Sequence, residues 1–434
     1  MKKVIFVLIL AAVVWFLVIP VVRATKPSIE LASPVAVLGP ATPIAVHVQH
    51  PKGVRAVTVG VEQNGSNYRL WELTQPSKGA DETFNFVAGA KTTPQLKDGK
   101  AQLIVEAVSN GFPKKTARWQ QELTVVTRPP TVSADSDEHY LYLGMADLAT
   151  LDITGSFTEA GVRVGNEKFR AWPIPGGKGY FAFYAVPWYL STGAEPLVYA
   201  SNGAGNDVTT TLKIEFPKRE QPKYTKHELQ LDEKFMQKVV GELDPNGSGD
   251  LVARFVRINS EMRKENNNTL SDLRLKTADH FLWSQPFQRQ PGTKNEATFA
   301  DDRLYYYQGK KIDEQTHLGY DLASIQNVGV QAANDGQVVY AAPLGIYGNC
   351  IVVDHGYGLQ TIYGHLSRID VKEGDMVKRG QPMGLSGMTG MAAGDHIHFS
   401  MQLDGVQIDP KEWWDAHWIR DHVVKRVAVP GWKG

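Results

Sequence analysis

From about residue 27 to 128 the apolar residues recur at every second position. Ile44, Val46 and Val48 alternate with Ala45, His47 and Gln49, and Val57, Val59 and Val61 alternate with Thr58, Gly60 and Glu62. Phe84 and Phe86, Leu103 and Val105, then Leu123 and Val125 continue the pattern. Successive side chains of a strand point to opposite faces, so a period of two predicts half-buried strands. The runs are short and separated by Gly, Pro, Asn and Lys-Asp-Gly turns, which predicts a β-sandwich over 27–128. Pro129-Pro130 then reads as a linker.

A second β segment is expected over 131–217. Phe181 and Phe183 alternate, as do Val208, Thr210, Leu212, Ile214 and Phe216, with a turn at Asn202-Gly203 and Gly205-Asn206. Both segments resemble immunoglobulin-like sandwiches. Neither holds a catalytic constellation, so their expected role is to space or dock the C-terminal part of the chain.

Between 228 and 290 the period changes. Phe235, Met236, Val239, Val240 and Leu243 share one helical face, and Leu251, Phe255, Ile258 and Met262 share another. Asp244-Pro245-Asn246-Gly247-Ser248-Gly249 separates the two as an inter-helix turn. Its proline and the lack of a glutamate at the twelfth position argue against a calcium loop. Asn266-Asn267-Asn268 reads as a further loop. The block 291–434 returns to short β runs with dense glycine. Val338–Tyr340, Cys350–Val353, Thr361–Tyr363 and His396–Met401 are the expected strands. The fold class is therefore mainly β and multidomain, with a short helical segment at 228–290.

The N-terminus adds a membrane element. Lys2 and Lys3 precede an uncharged run of nineteen residues, Val4–Val22, which as a helix would reach roughly 28 Å, near the bilayer hydrocarbon thickness. Residues 1–25 read as a signal-anchor, or as a signal peptide cleaved after Val22-Arg23-Ala24; the length favours the anchor. In either case the rest of the chain is expected in the cell envelope: membrane-anchored and facing the periplasm or exterior, or secreted if cleaved.

Composition narrows the chemistry. Lys plus Arg and Asp plus Glu each number 46 in 434 residues, so the formal charge is zero and no nucleic-acid partner is expected. Cys350 is the single cysteine. An internal disulfide and a thiolate zinc site are both excluded, and any metal must be held by imidazole and carboxylate.

Three elements carry candidate chemistry: His317-Leu318-Gly319-Tyr320-Asp321, the pair His396-Ile397-His398, and His365 in Tyr363-Gly364-His365-Leu366. On a strand His396 and His398 stand on one face. Three N,O ligands leave one position of a tetrahedral zinc open, the catalytic arrangement, and two His plus one Asp satisfy it. The remaining histidines can move protons and stabilise an oxyanion.

In order along the chain come His-x-Gly-x-Asp, Gly345-Ile346-Tyr347-Gly348-Asn349, His355-Gly356-Tyr357-Gly358 and Tyr363-Gly364-His365-Leu366. Gly374-Asp375-Met376-Val377, Gly380-Gln381-Pro382-Met383-Gly384, Ser386-Gly387, Thr389-Gly390 and His396-x-His398-Phe399 complete the series. Over about 315 to 410 this set resembles the LytM/lysostaphin-type zinc metalloendopeptidases of cell-wall peptidoglycan. The resemblance implies that 291–434 is a β-rich LytM-type peptidase domain, that His317, Asp321 and His398 ligate Zn2+, and that His365 and His396 flank the metal-bound water as base and proton donors. It implies peptidoglycan stem peptides as substrate. One departure lies upstream: where the family has a Phe-Gly-x-Arg turn, this chain reads Phe299-Ala300-Asp301-Asp302-Arg303.

Other residues have structural readings. His355 is expected to be a hydrogen-bonded structural histidine and Cys350 a buried small hydrophobe. Trp413, Trp414, Trp418 and Trp432 are expected to pack the C-terminal extension onto the catalytic sheet. The functional expectation is a zinc metalloendopeptidase that cleaves peptidoglycan cross-links, held at the membrane by its N-terminal span, with envelope proteins as partners of the sandwiches. The alternative is a non-catalytic or autoinhibited wall-binding or amidase-regulating module on the same fold.

Overall fold

The computed structural model describes residues 21, 24–135, 139–191, 194–203, 207–216 and 224–434. The expected membrane span lies, apart from Val21, outside these residues, as do Gly205 and Asn206 of the expected turn. Among the described residues no helix is long and apolar enough to cross a membrane. The protein is mainly β and divides into two compact units. The first holds the described residues up to Thr131 with Thr154–Glu159 and Ala200–Val208; the second holds Val132–Ile153, Ala160–Tyr199 and Thr209–Gly434.

In the first unit, strands Ser28–Leu31, Thr42–Gln49 and Asp81–Ala88 form one sheet. Val37–Leu38, Thr116–Val125, Gly99–Ser109, Val54–Gln63 and Ser66–Glu72 form a second, five-stranded one in that order. Ile44, Val46 and Val48 of the first sheet share one core with Val57, Val59, Val61, Leu103, Val105, Leu123 and Val125 of the second. The period of two thus puts one face of each sheet inward. Each such fully buried side chain contributes roughly 1.5–3 kcal/mol.

Strands Trp172–Pro173, Tyr180–Ala185, Ala146–Thr154 and Thr131–Ala134 line up in one sheet. Tyr180–Ala185 breaks the alternation, for five of its six residues are buried. Phe181 stacks on Phe281 at 6.1 Å and Phe183 meets Trp413 at 5.8 Å on one face, while Tyr184 meets His139 at 5.9 Å on the other, so both faces of this strand are covered. The expected run 208–216 is interrupted, giving Val208–Thr211 and Ile214–Glu215. Arg170 also reaches the C-terminal block, donating to Asp404 at 2.7 Å.

The C-terminal sheet runs in the order Lys294–Ala297, Tyr320–Ala323, Ile397–Leu403, Leu359–Leu366, Asn349–Asp354, Gly336–Pro343 and Met376–Val377, with Val406–Ile408 beside Ile397–Leu403. Cys350 is fully buried in it. His355 is equally buried, donating to the Asp335 carbonyl at 2.8 Å and meeting the Thr361 hydroxyl at 2.8 Å, while burial pushes its imidazole down to about 4. Trp413 is fully buried against Trp283 and Trp418, Trp414 packs on Tyr320 and Phe399, and Trp432 meets Trp283.

The segment 228–290 is less helical than its period suggests. Lys226–Gln230 is a strand, parallel to Asp301–Tyr307, which in turn pairs antiparallel with Lys310–His317. Helix Glu233–Leu243 comes next, N-capped by Asp232, whose carboxylate accepts from the Phe235 amide at 2.6 Å. The turn at Asp244–Gly249 leads into helix Leu251–Arg257. A π-turn at Ile258–Met262 joins that to helix Arg263–Asp272.

Asn266-Asn267-Asn268, expected as a loop, therefore lies inside a helix. The reason is tertiary: the Asn266 side chain accepts from the Ile346 amide at 2.9 Å, and Asn267 accepts from the Tyr347 hydroxyl at 2.9 Å. These bonds outweigh the poor helix propensity of asparagine.

Candidate metal centre

Three neighbouring pieces of backbone bring the candidate ligands together. Asp321, on strand Tyr320–Ala323, sits directly across from His398 on Ile397–Leu403. His317 ends the preceding strand, and the Leu318-Gly319 turn folds it back over the pair. Gly319 is required there: a Cβ on it would lie 2.5 Å from the Ser400 hydroxyl and 2.7 Å from His398 Cε1. Strand Leu359–Leu366 lies on the other side of His398, with Gly364 opposite it; the left-handed φ of 64° at His365 breaks the strand alternation and sets its ring 5.9 Å from that of His398.

His317 Nε2 lies 2.9 Å from Asp321 Oδ1 and 3.0 Å from His398 Nδ1, and His398 Nδ1 lies 3.2 Å from Asp321 Oδ1. The protons are placed by the outer contacts. His317 Nδ1 donates to the Thr298 carbonyl at 3.0 Å. The Ser400 hydroxyl donates to the Leu318 carbonyl and so accepts from His398 Nε2 at 2.9 Å. What remains at the centre is two imidazole lone pairs and a carboxylate oxygen, three acceptors facing one point. Such a set has no internal partner and suits a cation. Bonds of about 2.0–2.1 Å to a tetrahedral ion would place its ligands only slightly farther apart than these.

The electrostatics agree. Burial alone would raise the Asp321 carboxyl, but the groups gathered around it hold it well below the usual carboxylate range. Burial lowers His317, and it lowers His398 to about 4. Both imidazoles are thus neutral, as a metal ligand must be.

His365 and His396 stand beside this group, their rings 4.8 Å apart. His365 Nδ1 donates to the Thr389 carbonyl at 2.9 Å, and His396 Nδ1 donates to the Gly394 carbonyl at 2.8 Å. His396 Nε2 comes within 3.4 Å of Asp321 Oδ1. All five residues selected from the sequence therefore line one cavity of about 810 Å3. Leu231, Phe235, Arg263 and Asn267 of the connecting segment form part of its wall.

The sequence reading missed the residues that hold the ligands. Arg303 donates to Asp321 Oδ2 at 2.6 Å. It was legible only as part of the altered Phe299–Arg303 stretch, which the structure builds as the start of strand Asp301–Tyr307. Ala300 takes the place of the expected glycine with a left-handed φ of 61°. Thr298 and Ser400, which set the two ligand tautomers, carried no sequence signal.

The fold and site define a metallopeptidase-type domain, a β-sheet with a His-Asp-His group on one face. Residues 315–410 match Peptidase family M23, and the C-terminal region is a LytM-type peptidase domain of that family. The DD-carboxypeptidase/endopeptidase Mpg of Neisseria meningitidis is 35% identical over 94 residues, 22% of this chain and 22% of its own length. The peptidoglycan DD-endopeptidase ShyA of Vibrio cholerae is 42% identical over 89 residues, 20% of this chain and 21% of its own. The chain thus spans about a fifth of the length of these relatives. The catalytic domain of lysostaphin from Staphylococcus simulans aligns at 28% identity and a TM-score of 0.24, covering 28% of this chain and 92% of that one.

Proposed function

We propose that the C-terminal domain is a zinc metalloendopeptidase that hydrolyses peptide cross-links of cell-wall peptidoglycan. One observation carries the reading: the acceptor-only convergence of His317 Nε2, Asp321 Oδ1 and His398 Nδ1 at 2.9–3.2 Å. The relatives Mpg and ShyA, named as endopeptidases, support the substrate class.

These three residues would hold the ion, which when bound supplies a Lewis acid and an acidified water. His365 and His396 do the proton work. Each donates its Nδ1–H in a hydrogen bond to a backbone carbonyl, which leaves the Nε2 lone pair to take a proton from the attacking water and then pass it to the oxyanion or leaving amine.

In the same reading the chain is exported, held at the membrane by Val4–Val22 or released by its cleavage. The two β segments are immunoglobulin-like modules that dock envelope proteins. A non-catalytic wall-binding or amidase-regulating module is not favoured, because the acceptor set and both flanking histidines are complete.

The test is digestion of purified sacculi by residues 25–434. Soluble muropeptides with cut stems are expected, and chelator or His398→Ala should abolish their release. Zinc-loaded protein that binds sacculi and releases nothing overturns the reading.

A further inference from the structure

Both flanking histidines direct Nδ1 into a single loop, residues 388–394, and that loop is poor in side chains able to fix it. It reads Met-Thr-Gly-Met-Ala-Ala-Gly. Gly390 has φ +70°, and a Cβ there would lie 2.4 Å from the Gly348 amide nitrogen, so no larger residue can stiffen it. The Thr389 hydroxyl ties one point, donating to the Leu366 carbonyl at 2.9 Å. The Asn349 amide donates to the same hydroxyl at 2.9 Å and the Met391 amide to the Ile346 carbonyl at 2.9 Å. A further anchor comes from far away in sequence.

Lys238, on helix Glu233–Leu243, points its ammonium into the loop. Nζ donates to the Met388 carbonyl at 2.6 Å and the Gly390 carbonyl at 2.6 Å, and lies 3.4 Å from the Ala392 carbonyl. Glu242, one turn on, is 3.2 Å from the same ammonium and accepts from the Gly390 amide at 2.5 Å. An ammonium has three protons, and here they are spent on the loop backbone and one carboxylate.

The carbonyls sort into two sets. Those of 388, 390 and 392 turn toward Lys238, while that of Thr389 turns the other way to His365 and that of Gly394 turns to His396. Gathering the first set toward one cation orients the peptide planes between them. An i,i+4 Lys–Glu pair on a helix surface needs no such partners; the loop contacts are an addition to it.

We infer that Lys238, assisted by Glu242, is a positioning residue that holds the loop so that His365 and His396 keep the Nδ1–H tautomer and present Nε2 to the cleft. The inference rests on the hydrolase reading for its catalytic consequence and on geometry alone for its structural one. It also gives the helix Glu233–Leu243 a role: it forms a fixed wall of the site, not a detachable cover.

The experiment compares full-chain wild type, Lys238→Met and Lys238→Arg. Three quantities are read: kcat and KM on cross-linked muropeptides, bound zinc with the melting temperature, and the imidazole 15N spectrum of the histidine-labelled chain. In Lys238→Met, kcat is expected to fall about 10- to 100-fold, the usual cost of losing an outer hydrogen-bond partner of a site. KM should stay within about twofold, the pattern of an interaction made in the transition state. Zinc content should hold, and the His365 and His396 signals should shift toward mixed tautomers. Lys238→Arg should recover part of kcat.

Unchanged kcat with unchanged 15N signals overturns the proposal. So does a loss of kcat that comes with lost zinc and a collapsed melting temperature in both variants, since that marks general support of the fold. If Lys238→Met does not fold, Glu242→Gln carries the same expectation at smaller size. A wild type that releases no muropeptides defeats the hydrolase reading, while the 15N comparison still decides the positioning.

Discussion

Arg303 holds the outer oxygen of Asp321 at 2.6 Å, which leaves the inner oxygen facing His317 and His398. Arg303 comes from strand Asp301–Tyr307 and Asp321 from Tyr320–Ala323, so two strands fix one carboxylate. A bare carboxylate rotates between one-oxygen and two-oxygen binding; a charged hydrogen bond to one oxygen selects the other.

Replacing this arginine should therefore weaken the metal without unfolding the domain. Arg303→Met is expected to lower zinc affinity about 10- to 100-fold, measured by competition with a chromogenic chelator. Unchanged affinity would show that Asp321 needs no second holder.

Ala300 offers a test of the altered turn. It is fully buried with φ 61°, and its amide donates to the His317 carbonyl at 2.7 Å. A left-handed alanine costs roughly 1–2 kcal/mol, part of which glycine gives back in chain entropy. Ala300→Gly should be neutral to stabilising by about 1 kcal/mol in denaturant unfolding. A clear destabilisation would show that the methyl's packing outweighs the strain.

A pH dependence arises from a buried cluster remote from the metal centre. His139 Nδ1 lies 2.7 Å from Asp147, and its Nε2 lies 3.0 Å from Asp135. His422 and Arg426 reach the same Asp147 from the C-terminal segment. Burial works against charging His139, but the two aspartates prevail and raise it to about 8. A folded value above the unfolded 6.5 means stability that is fully present below about pH 6.5 and lost as pH rises through 8. The loss is about 2 kcal/mol. Thermal melts from about pH 6 to 9 should show it in the wild type and not in His139→Gln. Parallel curves for both would contradict it.

Truncation to 291–434 should abolish activity, because it removes strand Lys226–Gln230, the Lys238 contacts and the Asn266 and Asn267 bonds. An autoinhibitory segment predicts the reverse. Muropeptide release by 291–434 against 25–434 separates the two.

The candidate ligands were legible as short local motifs, His317 with Asp321 four residues on and His396 with His398 two apart, and the resemblance of the whole motif series to the LytM/lysostaphin type implied the set. The alternation of Val57, Val59 and Val61 was legible for the same reason. The rest depended on partners distant along the chain. Asn266 and Asn267 look like loop formers until Ile346 and Tyr347 engage them. Lys238 looks like a solvated helix residue until a loop 150 positions later folds beneath it. Tyr180–Ala185 reads as a half-buried strand with Phe181 and Phe183 inward, and only the contact of Tyr184 with His139 covers its second face.

Mass spectrometry of sacculi digested by the zinc-loaded chain, run beside His398→Ala, tests the central claim most directly. Soluble fragments ending at a cut stem peptide are predicted from the wild type, and none from the variant or after chelation. Intact sacculi in the presence of bound zinc, or equal release by His398→Ala, would contradict it.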